Sequence, residues 1–170
     1  EFSPCSLWAT KATSLVAQSE HGENSQSILL INQKDLAKQV VNKIKRVIEN
    51  LPRKKIIEKS LNKNGMIIIS KSQKQIIELV NFISPEHLEV LTTNYKKLIK
   101  NIYNAGSIGL GKYSPVAASD YNVGTNHTLG TLGSAKFASG LNLNDFFKKI
   151  SLFSLTKKGI EVIGKEAITL

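Results

Sequence analysis

The stretch NGMIIISKSQKQIIELVNFISPEHLEVL, residues 64–91, decides the fold. MIIIS (66–70) is a short unbroken apolar run behind a glycine, the pattern of a strand buried on both faces. SQKQIIELVNFI (72–83) switches to helical spacing and starts from Ser72, a residue that caps helix N-termini. Pro85 ends that helix, because the residue before a proline is pushed out of the helical region. HLEVL (87–91) then reads as a second strand. Strand, helix, strand is the unit from which parallel sheets are built.

Working outward, the same alternation continues. On the N-terminal side, residues 6–20 read as a helix with Leu7, Ala9, Leu15 and Val16 among its apolar positions, stopped at His21–Gly22. SILLIN (27–32) is a further short apolar run. QKDLAKQVVNKIKRVIENL (33–51) repeats Leu36, Val40, Ile44, Val47, Ile48 and Leu51 on one helical face, with Asp35 in its first turn. Pro52 breaks the run, and a helix over 53–63 closes at Asn64–Gly65, a C-terminal cap signal. On the C-terminal side come a helix over 94–103 and a strand over 107–111. Residues 112–140 have no clear period and hold Gly124, Gly130, Gly133 and Gly140; a loop of that length is usually functional. LNLNDFFKKI follows, with Asp145 near a helical start, and then a last helix from about 156 to 170. The expected class is α/β: a largely parallel sheet with flanking helices, an incomplete Rossmann-like domain over 1–141, then a linking helical segment over 142–170. In such sheets working residues gather at the carboxyl ends of the strands.

Composition narrows the function. The net charge of +10 suggests an anionic partner such as nucleic acid. However, Arg46 and Arg53 are the sole arginines, and 19 isoleucines and 14 asparagines accompany the lysines, the mark of a coding bias. Lysines spread over helix surfaces are poor base readers, so nucleic acid is not the expected partner. Cys5 is the single cysteine, which rules out an intrachain disulfide and a thiolate metal site and fits a cytoplasmic setting. No signal peptide and no run of membrane-spanning length is visible.

The chain has three histidines, His21, His87 and His127. Gln18 and His21 in AQSEHG share a helical face, so an amide oxygen and an imidazole can point at one ion; spacing alone fits a solvated helix end better. Asp120 and His127 lie in SDYNVGTNHTLGT and can converge across a loop, though on the residues alone an Asx turn with a surface histidine reads slightly better. Glu86 and His87 are adjacent just after Pro85. Neighbours there point in different directions and can serve two separate proton transfers; an ordinary polar helix end is the alternative. No dinucleotide fingerprint, phosphate-loop lysine motif or serine nucleophile elbow is present: GSIGLG has Ile108 at the third position of the dinucleotide motif, where a glycine is needed.

SPEHLE (84–89), NAGSIGLG, SPVAASDYNVGTNH, GSAKFASGLNLNDFFKK, AQSEHG and LPRKKIIEKSLNKNG, in this order and spacing, resemble the histidinol dehydrogenase family across essentially the whole chain. The resemblance implies NAD-dependent oxidation of L-histidinol to L-histidine through the aldehyde, the last steps of histidine biosynthesis, by a zinc-containing homodimer. It implies Gln18, His21 and Asp120 as three zinc ligands that also hold the substrate. It makes His87 the base for the substrate hydroxyl, in contact with substrate, and Glu86 the base that activates water on the aldehyde. His127 matches a motif near the substrate. Departures from the family pattern are Val116 for a usual Glu, Ser119 for Gly, Gly109 for Phe and Gly130 for Pro, which should loosen the loop. The family's chains are much longer, with the nicotinamide contacts in their first half and a fourth zinc ligand in their C-terminal tail. This segment alone is therefore expected not to turn over histidinol and to bind zinc weakly or not at all. A non-catalytic homologue and a basic module for anionic partners are the alternative readings.

Overall fold

The computed structural model describes residues 8–169; Cys5 and Leu7 lie outside the described residues. The elements run α1 (Trp8–Ser19), β1 (Ile28–Ile31), α2 (Lys34–Ile48), α3 (Lys54–Asn64), β2 (Met66–Ile69), α4 (Gln73–Ile83), β3 (His87–Val90), α5 (Tyr95–Leu98), β4 (Ser107–Leu110), α6 (Val116–Tyr121) and α7 (Lys157–Thr169). The fold is mixed α/β, and both strand pairings are parallel. Instead of one continuous sheet, the described residues form two pairs, β1 with β2 and β3 with β4. Ile28 lies opposite Met66 and Ile31 opposite Ile69; His87 lies opposite Ser107 and Glu89 opposite Gly109.

The core follows from the helical spacing of α2. Leu36, Ala37 and Val40 pack with Leu29 and Ile31 of β1, helped by Leu15, Ile44 and Ile67. Val16, Ile48 and Ile57 form a second cluster that joins α1, α2 and α3, with Leu51 and Leu61 at its edge. Each buried valine, leucine or isoleucine of these clusters stabilises the fold by about 1.5–3 kcal/mol. Serines complete the junction below α1: Ser19 is fully buried, shares a 2.9 Å hydrogen bond with Ser27, and donates to the Leu15 carbonyl at 2.8 Å. Ser60 of α3 donates to the Ser25 carbonyl at 2.9 Å, so the connection carrying His21 is tied down at both ends.

Several elements differ from the sequence reading. Gly65 caps α3 through its N–H to the Leu61 carbonyl at 2.9 Å, but in extended backbone, without the left-handed turn its Asn–Gly signal suggests. The helix expected over 94–103 is one turn of α helix followed by a 3-10 turn at Ile99–Asn101. Within the aperiodic 112–140 stretch stands a helix of six residues, α6, started by Pro115 in extended backbone. At Asp145 a 3-10 turn (Leu143–Phe146) forms with a reciprocal cap between Asn142 and Asp145. Phe146 of this turn is exposed, and so are Leu152, Phe153 and Ile168 beyond it.

Candidate active site

Glu86 and His87 owe their place to how α4 ends. Ser84 is in the left-handed region, at φ 52 and ψ 62, out of the helical region as a residue before proline must be. That conformation costs about 1–2 kcal/mol for a residue with a Cβ. It persists because Ser84 is buried, its hydroxyl donates to the Asn81 carbonyl at 2.7 Å, and its N–H donates to the Val80 carbonyl at 2.9 Å. The chain then enters β3 directly. The Pro85 carbonyl accepts from Gly106 N–H at 2.9 Å and the Glu86 carbonyl from Ser107 N–H at 2.8 Å. A Cβ at position 106 would lie 2.7 Å from the Glu86 carbonyl oxygen, so only glycine lets the β4 entrance approach this closely.

His87 Nε2 stands 3.9 Å from Glu86 Oε1, beyond hydrogen-bond range. The imidazole is 13% exposed and the carboxylate 40% exposed. His87 Nδ1 is buried and has no hydrogen-bond partner. A buried polar atom without a partner is unusual, and such atoms concentrate at sites where a ligand or a reacting group completes the set. Both residues sit at the amino end of β3, so the expectation of carboxyl-end placement does not hold for this pair.

The remaining candidates lie on neighbouring elements. Gln18 is half-buried in the last turn of α1, and exposed His21 follows two residues after the helix, its N–H 3.4 Å from the Gln18 carbonyl. Asp120 is half-buried on α6, with the Ser119 hydroxyl 3.3 Å from its Oδ1. His127 is exposed in the loop beyond. No three His, Cys, Asp or Glu side chains group as a metal site among the described residues. The set inferred from the resemblance holds only two of those types, its third member being a glutamine. An amide oxygen, an imidazole and a carboxylate are suitable zinc donors, one short of the usual four.

Glu89 links these elements, and the sequence reading gave it no role. Its Oε1 accepts from Ser14 Oγ of α1 at 2.9 Å and from the Val116 N–H of α6 at 3.1 Å. The two-residue alternation of SPEHLE sets Glu89 on the same strand face as His87 but does not point to these two partners. The departures in the loop also look different in three dimensions. Val116 contributes its backbone N–H, so its side chain is not needed for that bond. A Cβ at Gly109 would lie 2.5 Å from the Ser114 carbonyl oxygen, so this glycine marks a tight approach, where loosening was expected. Ser119 adds a hydroxyl that donates to the Val116 carbonyl at 2.7 Å.

These features define an α/β chain with parallel strand pairs that carries a carboxylate and an unpaired imidazole at one strand start, a framework for acid–base chemistry. Comparison with known proteins supplies the family. The family model described as Histidinol dehydrogenase matches residues 8–170. The histidinol dehydrogenase of Pelagibacter ubique is 48% identical over 159 residues, which are 94% of this chain and 37% of that protein. That of Prochlorococcus marinus subsp. pastoris is 40% identical over 159 residues, again 94% and 37%. The crystal structure of histidinol dehydrogenase from Elizabethkingia anophelis superimposes with a TM-score of 0.83 at 37% identity, over 97% of this chain and 37% of that one. The chain belongs to the histidinol dehydrogenase family and spans a little over a third of the length of these relatives.

Proposed function

We propose that the protein containing this chain oxidises L-histidinol to L-histidine through the aldehyde, as an NAD-dependent homodimeric enzyme of the cytoplasm, and that this segment supplies its proton-transfer pair and three of its metal donors. The observation that carries the reading is the separation of Glu86 and His87: adjacent in sequence, 3.9 Å apart, and not bonded to each other. Two bases that share no hydrogen bond remain available for two different protons. NAD, when bound, accepts the hydrides, and a zinc ion held by Gln18, His21 and Asp120 would fix the substrate's imidazole and amine. His87 takes the proton of the substrate hydroxyl as the carbinol hydrogen leaves as hydride. Its low exposure keeps water from competing at that step. Glu86, the more exposed of the two, meets the water that attacks the aldehyde and removes its proton. Base assistance of this kind is worth about 10²–10⁴-fold in rate.

No helix among the described residues is long and apolar enough to cross a membrane. The test is NADH formation by the full-length protein with histidinol. Two NADH per histidinol are expected, and Glu86→Gln should slow histidinal oxidation far more than histidinol oxidation. A folded, zinc-loaded protein that forms no NADH would refute the reading and leave the non-catalytic alternative.

A further inference from the structure

We propose that Glu89 is a positioning residue that ties α1 and α6 to β3 and so sets Gln18 and Asp120 against His87. The inference rests on the histidinol reading for the role of those three residues, but its structural content stands apart from it. One carboxylate oxygen takes donors from two elements, the Ser14 hydroxyl and the Val116 amide, 75 and 27 residues away in sequence. The spacing from this point is common to all three candidates. Gln18 lies four residues after Ser14 on α1, and Asp120 four after Val116 on α6. Each step along a helix is about 6 Å. His87 lies two residues before Glu89, a step of about 6.6 Å along the strand, on the same face. Each candidate thus lies one such step along its own element from Glu89 or from a group bonded to it.

In this chain the turn after β4 closes tightly over Gly109. This glycine lies opposite Glu89 in the ladder, and the turn after β4 folds down onto it, with the Ser114 carbonyl where a Cβ would be. That descent delivers Pro115 and Val116 to the Glu89 carboxylate. Ser114 Oγ donates back to the Leu110 carbonyl at 2.8 Å and holds the turn closed.

The test uses Glu89→Ala, Glu89→Gln and the milder Ser14→Ala in the full-length protein, each assayed per folded molecule. Glu89→Ala should lower kcat/KM for histidinol about 10- to 100-fold and weaken zinc by a similar factor, the usual loss when a group that orients ligands is removed. Glu89→Gln keeps an oxygen acceptor and should recover most of the loss. Ser14→Ala deletes one of the two bonds and should cost about 2- to 10-fold. Hydrogen exchange supplies a readout independent of activity: the Val116 amide should lose protection in Glu89→Ala while the α2 amides keep theirs. If Glu89→Ala stays within threefold of the parent in kcat/KM, or keeps Val116 protected, Glu89 is not the anchor. An inactive parent would sink the histidinol reading alone, and Val116 exchange with the zinc affinity would still decide the role of Glu89.

Discussion

Replacing Asn81 with leucine tests how the entrance to the site is held. Asn81 is 7% exposed, at the end of α4. Its Nδ2 donates to the Asn101 carbonyl at 2.8 Å, and its Oδ1 accepts from Tyr103 N–H at 3.0 Å and Asn104 N–H at 3.3 Å. Leucine fills nearly the same volume and strands three backbone groups. At about 1 kcal/mol per hydrogen bond the loss is about 3 kcal/mol. Asn101 and Tyr103 are exposed, so water replaces part of what is lost. That leaves about 2 kcal/mol by the same scale. With a urea slope of about 2 kcal/mol/M, the unfolding midpoint should fall by about 1 M. Asn81→Asp keeps both acceptor bonds and loses only the donor, so it should fall between leucine and the parent. The assay is urea unfolding followed by far-UV circular dichroism. A midpoint shift below about 0.3 M for Asn81→Leu would show that the 101–104 turn is held by other contacts, and the reasoning would fail.

Three other perturbations have definite outcomes. Ile57 is fully buried between α1 and α2, so Ile57→Ala should cost about 2–5 kcal/mol in urea unfolding. Gly106→Ala should destabilise by about 1–3 kcal/mol, because its Cβ would strike the Glu86 carbonyl, whereas Gly22→Ala, with nothing within 4 Å, should leave thermal unfolding nearly unchanged. Lys59→Ala removes an ion pair with Glu23 at 2.7 Å between side chains 64% and 54% exposed. Water screens that pair, so its loss should cost under about 1 kcal/mol in the same assay.

What could be read from the sequence and what could not divide along physical lines. The spacing of Leu36, Val40 and Ile48 reports burial directly, and MIIIS forms its strand where the pattern puts it, but Met66 and Ile69 are exposed (49% and 45%) where burial on both faces was expected. Helix α6 left no trace, because six residues are too few to show a period. The end of α4 was legible from Pro85, but not that Ser84 would turn left-handed, which depends on the Asn81 and Val80 carbonyls it meets. Ser19, Ser27 and Ser60 look like surface residues by type; only the fold pairs them in the interior. Glu86 and His87 were recognisable as a pair, yet Glu89 acquires its role from Ser14 and Val116, and no local pattern encodes contacts over 75 residues. The close approach of the Ser114 carbonyl to Gly109 was not legible for the same reason, since it is set by the turn after β4.

The central claim is that α1, β3 and α6 present one site. The most direct measurement is a crystal structure of the full-length protein soaked with zinc and histidinol. The account predicts a single ion with donor atoms of Gln18, His21 and Asp120 all at about 2.0–2.2 Å, and the substrate carbinol beside His87. An ion bound without those three residues, or Asp120 and Gln18 too far apart to share one, would contradict it.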